Sequence, residues 1–257
     1  MQERKKRRRR GRYSFLLTFF VAAALIFALV LTSGLFFNIR EIRVEGVTVT
    51  NPQEIIALSG YTIGENIFLI NKRAAYHSIT ASLPYVKAVR TRRDWPGTVV
   101  IIITEAAPAA MIEHRGVYWV FDSQGSLLES VPALTPPKLP VIKGMALLDD
   151  PVPGTKLYPV TEDTAKSGPL LDLIGVMLAE GVWEDVGEID ITQLSGIRFT
   201  YKGIYKVELG PPDALAQKFR VMLLALEDEK VSGRGPGTLY IDGIADGKNA
   251  RFIPDEP

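Results

Sequence analysis

The stretch Arg4-Lys5-Lys6-Arg7-Arg8-Arg9-Arg10-Gly11-Arg12 runs without a break into 25 residues, 13–37, none of which is charged. As a helix, those residues would span roughly 37 Å at about 1.5 Å each, enough to cross a hydrocarbon core about 30 Å thick. A charge at the bilayer centre costs on the order of 3 kcal/mol, which gives a charge-free run of this length a physical reason. Lys and Arg flanking a span stay on the cytoplasmic side. The pattern therefore predicts a cytoplasmic basic tail at 1–12, a single transmembrane helix at 13–37, and residues 38–257 outside the cell membrane, a type II topology. The basic cluster is also suited to anionic lipid headgroups. Three other readings compete. A cleaved signal peptide has a shorter apolar region, about 7–15 residues, and a small-residue cleavage site; this run ends instead in Thr32-Ser33-Gly34-Leu35-Phe36-Phe37. A nucleic-acid tail would need the basic run to be free of a membrane. A buried core helix is the third.

The net charge of +1 is an average over unlike parts. Residues 1–12 carry +7, residues 13–37 carry nothing, and residues 38–257 hold 22 basic and 28 acidic side chains, or −6. At 47% apolar residues the chain is too hydrophobic for a disordered protein. It has no cysteine and two histidines, His77 and His114, which excludes disulfides, thiolate metal sites and cysteine nucleophiles, and leaves little for a histidine cage.

After the uncharged run, the pattern is that of a small α/β module. Residues 39–46 alternate apolar and charged positions around Ile42 and Val44, as a half-buried strand does. Asn51-Pro52-Gln53-Glu54 has a capping residue, a proline at the first helical position and an acid three residues after the cap. That helix carries Ile55, Ile56 and Leu58 and stops at Gly60. Ala75, Ile79 and Leu83 predict a second helix, ended by Pro84. A basic strand over 85–93, a turn at Asp94-Trp95-Pro96-Gly97 and a β-branched strand over 98–105 complete the order.

Five landmarks fall in sequence here: Val44-x-Gly46, Gly64-x-Asn66-x-Phe68, Leu83-Pro84-x-Val86, Trp95-Pro96-x-Thr98 and Glu105-x-x-Pro108-Ala109. Together, behind a basic tail and one span, they resemble the POTRA module of the bacterial cell-division family FtsQ/DivIB. The resemblance implies an α+β fold, with a POTRA domain at 38–108 (strand-helix-helix-strand-strand) and a β domain of mixed sheet plus helices at 109–253. A short tail, 254–257, would follow.

The second module is longer and less regular. Residues 116–121 and 126–128 flank Asp122-Ser123-Gln124-Gly125 as a hairpin, and residues 130–160, rich in proline, predict extended connections with little helix. Pro169 precedes an expected helix with Leu170, Leu173, Ile174, Met177 and Leu178 on one face. Ile189 and Ile191 alternate with acids, and 197–201 and 204–209 form a hairpin about Lys202-Gly203. Pro211-Pro212-Asp213 opens a helix with Leu215, Phe219, Met222, Leu223 and Leu226, and 238–242 make a closing strand. Leu209-Gly210, Lys218-Phe219 and Ile241-Asp242 match later landmarks of the same family.

Catalytic chemistry is hard to assemble from these residues. Glu113-His114 lacks the second histidine of a zinc helix, Asp149-Asp150 lies in a Pro-rich connection without an acid/base partner, and Gly233-x-Gly235-x-Gly237 has no preceding strand or following helix to make a phosphate loop. His77 near a helix face and His114 in a loop read as structural. No enzyme activity, cofactor, metal, nucleic acid or small-molecule substrate is expected. What remains is recognition, since exposed sheet edges bind extended segments by adding a strand. The resemblance implies a non-enzymatic divisome scaffold at the division septum that joins single-span partners of the FtsB/DivIC and FtsL type and supports septal peptidoglycan synthesis. It further implies that the last strand of the β domain docks the FtsB/DivIC-type partner, which by position points to Tyr240, Ile241, Ile244 and Phe252. Gly243-Ile244 stand where many members carry a basic residue and an aromatic, and the alternative for Tyr240 and Phe252 is that they only close the core. Trp95 and Pro96 shape the POTRA turn, and an exposed Trp95 would also suit a partner. The other functional classes are a POTRA-bearing assembly or secretion chaperone, which expects several POTRA copies or a barrel, and a membrane-anchored wall hydrolase, which needs a catalytic cluster.

Overall fold

The structure, a computed structural model, describes residues 16–27, 37–132, 139–148, 150–157, 161–247 and 249–255. Residues 16–27 are helical (α1) and exposed. Among the described residues, no helix is long and apolar enough to cross a membrane. Residues 13–15 and 28–36 of the expected span lie outside the described residues. Phe37, expected as the last residue of the span, belongs instead to the folded part: its carbonyl accepts from Ile67 N at 2.9 Å. The folded chain divides into two compact units. The first is residues 37–82 with 86–105, and the second is 83–85 with 106 onward.

The first unit has the expected order of elements. β1 (Glu41–Glu45) leads to α2 (Pro52–Ser59) and α3 (Lys72–Ser82), and then β2 (Val86–Asp94) and β3 (Thr98–Glu105) form a hairpin. Asn51 caps α2 as its sequence implies, its side chain accepting from Gln53 N, and Gly60 ends the helix in the left-handed conformation. The sheet order is β1-β3-β2, with β3 parallel to β1 and antiparallel to β2. The central position of β3 explains its composition. Val99, Ile101 and Ile103 on one face and Val100 on the other are all buried, so the strand needs apolar residues in succession. Ile55 of α2 and Ala75 and Ile79 of α3 are buried in the same unit. Full burial of a side chain such as Ile79 is worth roughly 1.5–3 kcal/mol.

The second unit is a nine-stranded mixed sheet with helices. In chain order its strands are β4 (Pro108–His114), β5 (Val117–Asp122), β6 (Leu127–Pro132), β7 (Val141–Lys143), β8 (Val186–Asp190), β9 (Ile197–Tyr201), β10 (Tyr205–Gly210), β11 (Gly237–Tyr240) and β12 (Arg251–Pro254). The helices are α4 (Ser167–Ala179), α5 (Leu215–Glu227) and α6 (Glu229–Ser232). The sheet order is β12-β11-β10-β9-β8-β7-β4-β5-β6, with parallel pairings at β10/β11, β7/β8 and β4/β7. Leu170, Leu173, Ile174 and Met177 of α4 and Phe219 and Met222 of α5 enter one large core with Phe121, Ile142, Phe199, Val207 and Leu239. A smaller cluster of Ala106, Met111, Val120 and Leu128 lies beneath Tyr85 and Tyr118.

Several local expectations need correction. The Pro-rich stretch holds β7 in the middle of the sheet; three residues between Pro140 and Gly144 are too few for a periodic signal. His114 is the last residue of β4 rather than part of a loop, paired with Val117. α4 begins at Ser167, so Pro169 sits inside the first turn, where its missing N–H costs no hydrogen bond. α5 begins at Leu215, after a separate turn in which Ala214 takes φ 45°. The closing strand is not the last one, because β12 follows it and extends to Pro254.

Candidate partner-binding edge

Two strands close the sheet at the C-terminal end. β11 lies parallel to β10, which requires the long crossover through α5 and α6, and β12 folds back antiparallel on β11. The pairs are Gly237 with Pro254, Thr238 with Ile253, Leu239 with Phe252 and Tyr240 with Arg251. The Arg251 guanidinium lies 4.6 Å from the centre of the Tyr240 ring, a cation–π contact. Phe252 turns inward and meets Tyr205 edge-on at 6.2 Å. It can do so because residue 237 is glycine. A Cβ there would lie 2.5 Å from Phe252 Cζ and 2.6 Å from the Ile253 carbonyl oxygen. At the far end, Asp255 N donates to Pro236 O at 3.0 Å, and Lys206 Nζ lies 3.4 Å from Asp255 Oδ2.

The two outer edges of this sheet are not alike. At the start of β6, residues 154–157 continue the hydrogen bonding: Leu127 N donates to Thr155 O, Gly154 N to Leu127 O and Leu157 N to Gly125 O. β12 pairs with β11 alone among the described residues. Its Ile253 is 44% exposed. An antiparallel edge with an apolar side chain facing outward can accept another extended chain, with backbone hydrogen bonds for affinity and side-chain pockets for selectivity.

The four residues expected at this edge divide into two kinds. Tyr240 and Phe252 lie on the β11–β12 pair and are half-buried. Ile241 and Ile244 are core residues, 1% and 5% exposed, because the chain turns inward after β11 and a short 3-10 turn, Ile244–Asp246, carries Ile244 beneath it. Their side chains therefore present no surface at the edge. Ile253 was missed by sequence reasoning; its signal was the apolar pair Phe252-Ile253 just before a proline. In the other unit, Trp95 lies in the β2–β3 turn as expected, 56% exposed, and its ring packs against Phe37 and Phe68 at centroid distances of 5.2 and 5.1 Å.

No set of three His, Asp or Glu side chains is arranged to hold a metal among the described residues. His77 is exposed on α3, and His114 Nε2 is buried with no hydrogen-bond partner among the described residues.

With this geometry in place, the likeness to known proteins becomes specific. Residues 37–106 match the FtsQ-type POTRA domain, so the first unit is a POTRA domain of that type. The cell division protein DivIB of Clostridium botulinum is 24% identical over 252 residues, covering 97% of this chain and 94% of that one. The cell division protein FtsQ of Corynebacterium glutamicum is 35% identical over 88 residues, 34% of this chain, and the match spans only 39% of that relative. The major extracytoplasmic domain of DivIB from Geobacillus stearothermophilus shares 16% identity over 44% of this chain and 84% of that one, at a TM-score of 0.27, too low to bear on the fold. The chain is similar to FtsQ-type POTRA proteins over residues 37–106, and the family it resembles along its length is FtsQ/DivIB. That likeness accords with a chain that is not an enzyme.

Proposed function

We propose that this chain is a non-enzymatic cell-division protein, held in the cell membrane by residues 13–36, that acts at the division septum as a binding scaffold. Its basic tail lies in the cytoplasm and both folded units lie outside. The second unit receives an extended segment of a single-span division protein of the FtsB/DivIC type along β12, together with an FtsL-type protein, and through them supports septal peptidoglycan synthesis. The division role is supported by similar proteins that are themselves named cell division proteins. The docking site rests on one observation above all: among the described residues β12 is an uncovered edge with Ile253 facing outward, whereas residues 154–157 pair with the start of the opposite edge at Gly125 and Leu127. Strand addition there would extend the sheet past Arg251–Pro254, with Phe252 holding the strand to the core and Ile253 meeting the partner.

Co-purification of the full-length chain from detergent-solubilised membranes tests the site. Ile253→Asp places a charge on an exposed position and should leave the fold intact. It is expected to reduce capture of the FtsB/DivIC-type partner at least about tenfold, the scale of a lost interface anchor. Equal capture by wild type and variant would rule out the β12 edge.

A further inference from the structure

We infer that the aromatic tip of the POTRA domain, Trp95 with Phe37 and Phe68, rests in the headgroup region of the bilayer that anchors the chain. This goes beyond the proposed function and relies on its membrane-anchored reading.

Three rings meet at one end of the small sheet. Phe37 and Phe68 are 5.5 Å apart, Phe37 and Trp95 5.2 Å, and Phe68 and Trp95 5.1 Å. They do not close a core. Trp95 and Phe68 are 56% and 47% exposed, and the neighbouring Leu69 is 76% exposed. A soluble unit gains nothing from leaving this much aromatic surface in water.

The topology says which end of the unit this is. β1 is parallel to β3, with Glu41 opposite Thr98, so the β2–β3 turn lies at the end where the chain enters β1. Arg40 N donates to Gly97 O at 2.7 Å and fixes the turn to the entering strand. Gly97 leaves room for that approach: a Cβ would lie 2.7 Å from Asn38 O and 3.1 Å from Arg40 Cγ. The opposite end of β3 carries Glu105, where the unit ends. Trp95 therefore lies at the end of the sheet where the chain enters from the uncharged run.

The uncharged run reaches the trio directly in sequence. Residues 13–37 are uncharged, and Phe37, the last of them, is itself a member of the trio. In the membrane-anchored reading a span of about 20 residues uses most of this 25-residue run, which leaves at most a few residues between the bilayer and the rings. Tryptophan and other amphipathic rings favour that depth, where an apolar face and a polar edge are both accommodated. Arg93 Nη2 donates to the Phe68 carbonyl at 3.3 Å, and Arg40 is exposed beside the turn, so cations stand next to the rings where lipid phosphates would lie.

The experiment uses the full chain in phosphatidylcholine/phosphatidylglycerol vesicles containing phosphatidylcholine brominated near the top of its acyl chains. The protein has three tryptophans, and none lies in residues 13–37. Trp119 and Trp183 are buried in the second unit. Bromolipid should quench a component of the emission that disappears in Trp95→Phe, and Leu69→Asp, an exposed substitution, should weaken that quenching while leaving the protein in the vesicles. Equal quenching of wild type and Trp95→Phe in protein that floats with the vesicles overturns the inference and leaves the anchor intact. Trp95 shielded from aqueous acrylamide yet insensitive to bromolipid overturns it in favour of contact with a second copy. Failure of the chain to float, or its release by alkaline carbonate, overturns both the inference and the membrane anchor.

Discussion

Glu105 shows how much one carboxylate can organise. It ends β3, and its two oxygens accept from Thr48 N at 2.8 Å, Thr48 Oγ1 at 2.6 Å, Val49 N at 3.1 Å and Thr50 N at 2.8 Å. Partial burial raises its pKa, but the hydrogen bonds from Thr48 and Thr50 outweigh it and bring the group from 4.5 down to about 2. A carboxylate whose folded pKa is depressed stabilises fully above its unfolded pKa and loses that contribution as pH falls towards the folded one. Glu105→Ala should therefore weaken the first unit by about 2 kcal/mol at neutral pH. The difference from wild type should shrink between pH 4.5 and about 2; hydrogen exchange of residues 98–105 in the two proteins measures it. Lys218 is the counterpart in the second unit. It is fully buried in α5, and its ammonium uses all three donors, on Leu209 O at 3.0 Å, Pro211 O at 2.7 Å and Asp213 Oδ1 at 2.5 Å. Lys218→Met would keep the stem and leave two carbonyls and a carboxylate unpaired, at a cost of about 3 kcal/mol. A lowered denaturation midpoint and faster exchange in 205–210 are the expected readouts. The sequence marked Glu105 and Lys218 only as family landmarks, since their partners are loop amides and carbonyls brought near by the fold.

At the scale of elements, the β11–β12 pair depends on one absent side chain. Gly237 has no unusual backbone angle; what matters is its distance from Phe252 and Ile253. Gly237→Ala is expected to separate β12 from β11 at a cost of about 1–3 kcal/mol, typical of overpacking. Exchange should rise in residues 251–254 while α4 stays protected, and partner capture should fall as it does for Ile253→Asp. Protection unchanged at 251–254 would show that the strand accommodates the methyl group. The same pair illustrates what the sequence makes legible. Residues 238–242 read as a strand from β-branched and aromatic content, but a four-residue strand ending in proline, β12, has no periodic signal of its own. β7 is hidden in the same way.

For the molecule as a whole, the proposed role predicts a cell phenotype. Depletion of the protein should give elongated cells without septa, scored by microscopy of cell length and septum frequency. Normal septation in a strain with no second copy would reject the division role. Each segment contributes separately to that proposed role. The +7 tail and the uncharged run would set the side of the membrane, the POTRA match begins at Phe37, and the wide sheet carries the candidate edge.

Charge along the chain predicts tail, span and outer region by itself. Periodicity and caps place α2, α3, β2 and β3 and the helical stripes of α4 and α5, because each depends on residues a few positions apart. Strand order does not. Only the tertiary structure placed β7 between β4 and β8, set β11 parallel to β10, buried Ile241 and Ile244, and left Ile253 on an edge uncovered among the described residues. The reason is physical: a strand satisfies half its backbone hydrogen bonds with a neighbour that the local sequence does not name. Whether an apolar residue is core or surface is decided by which neighbour arrives.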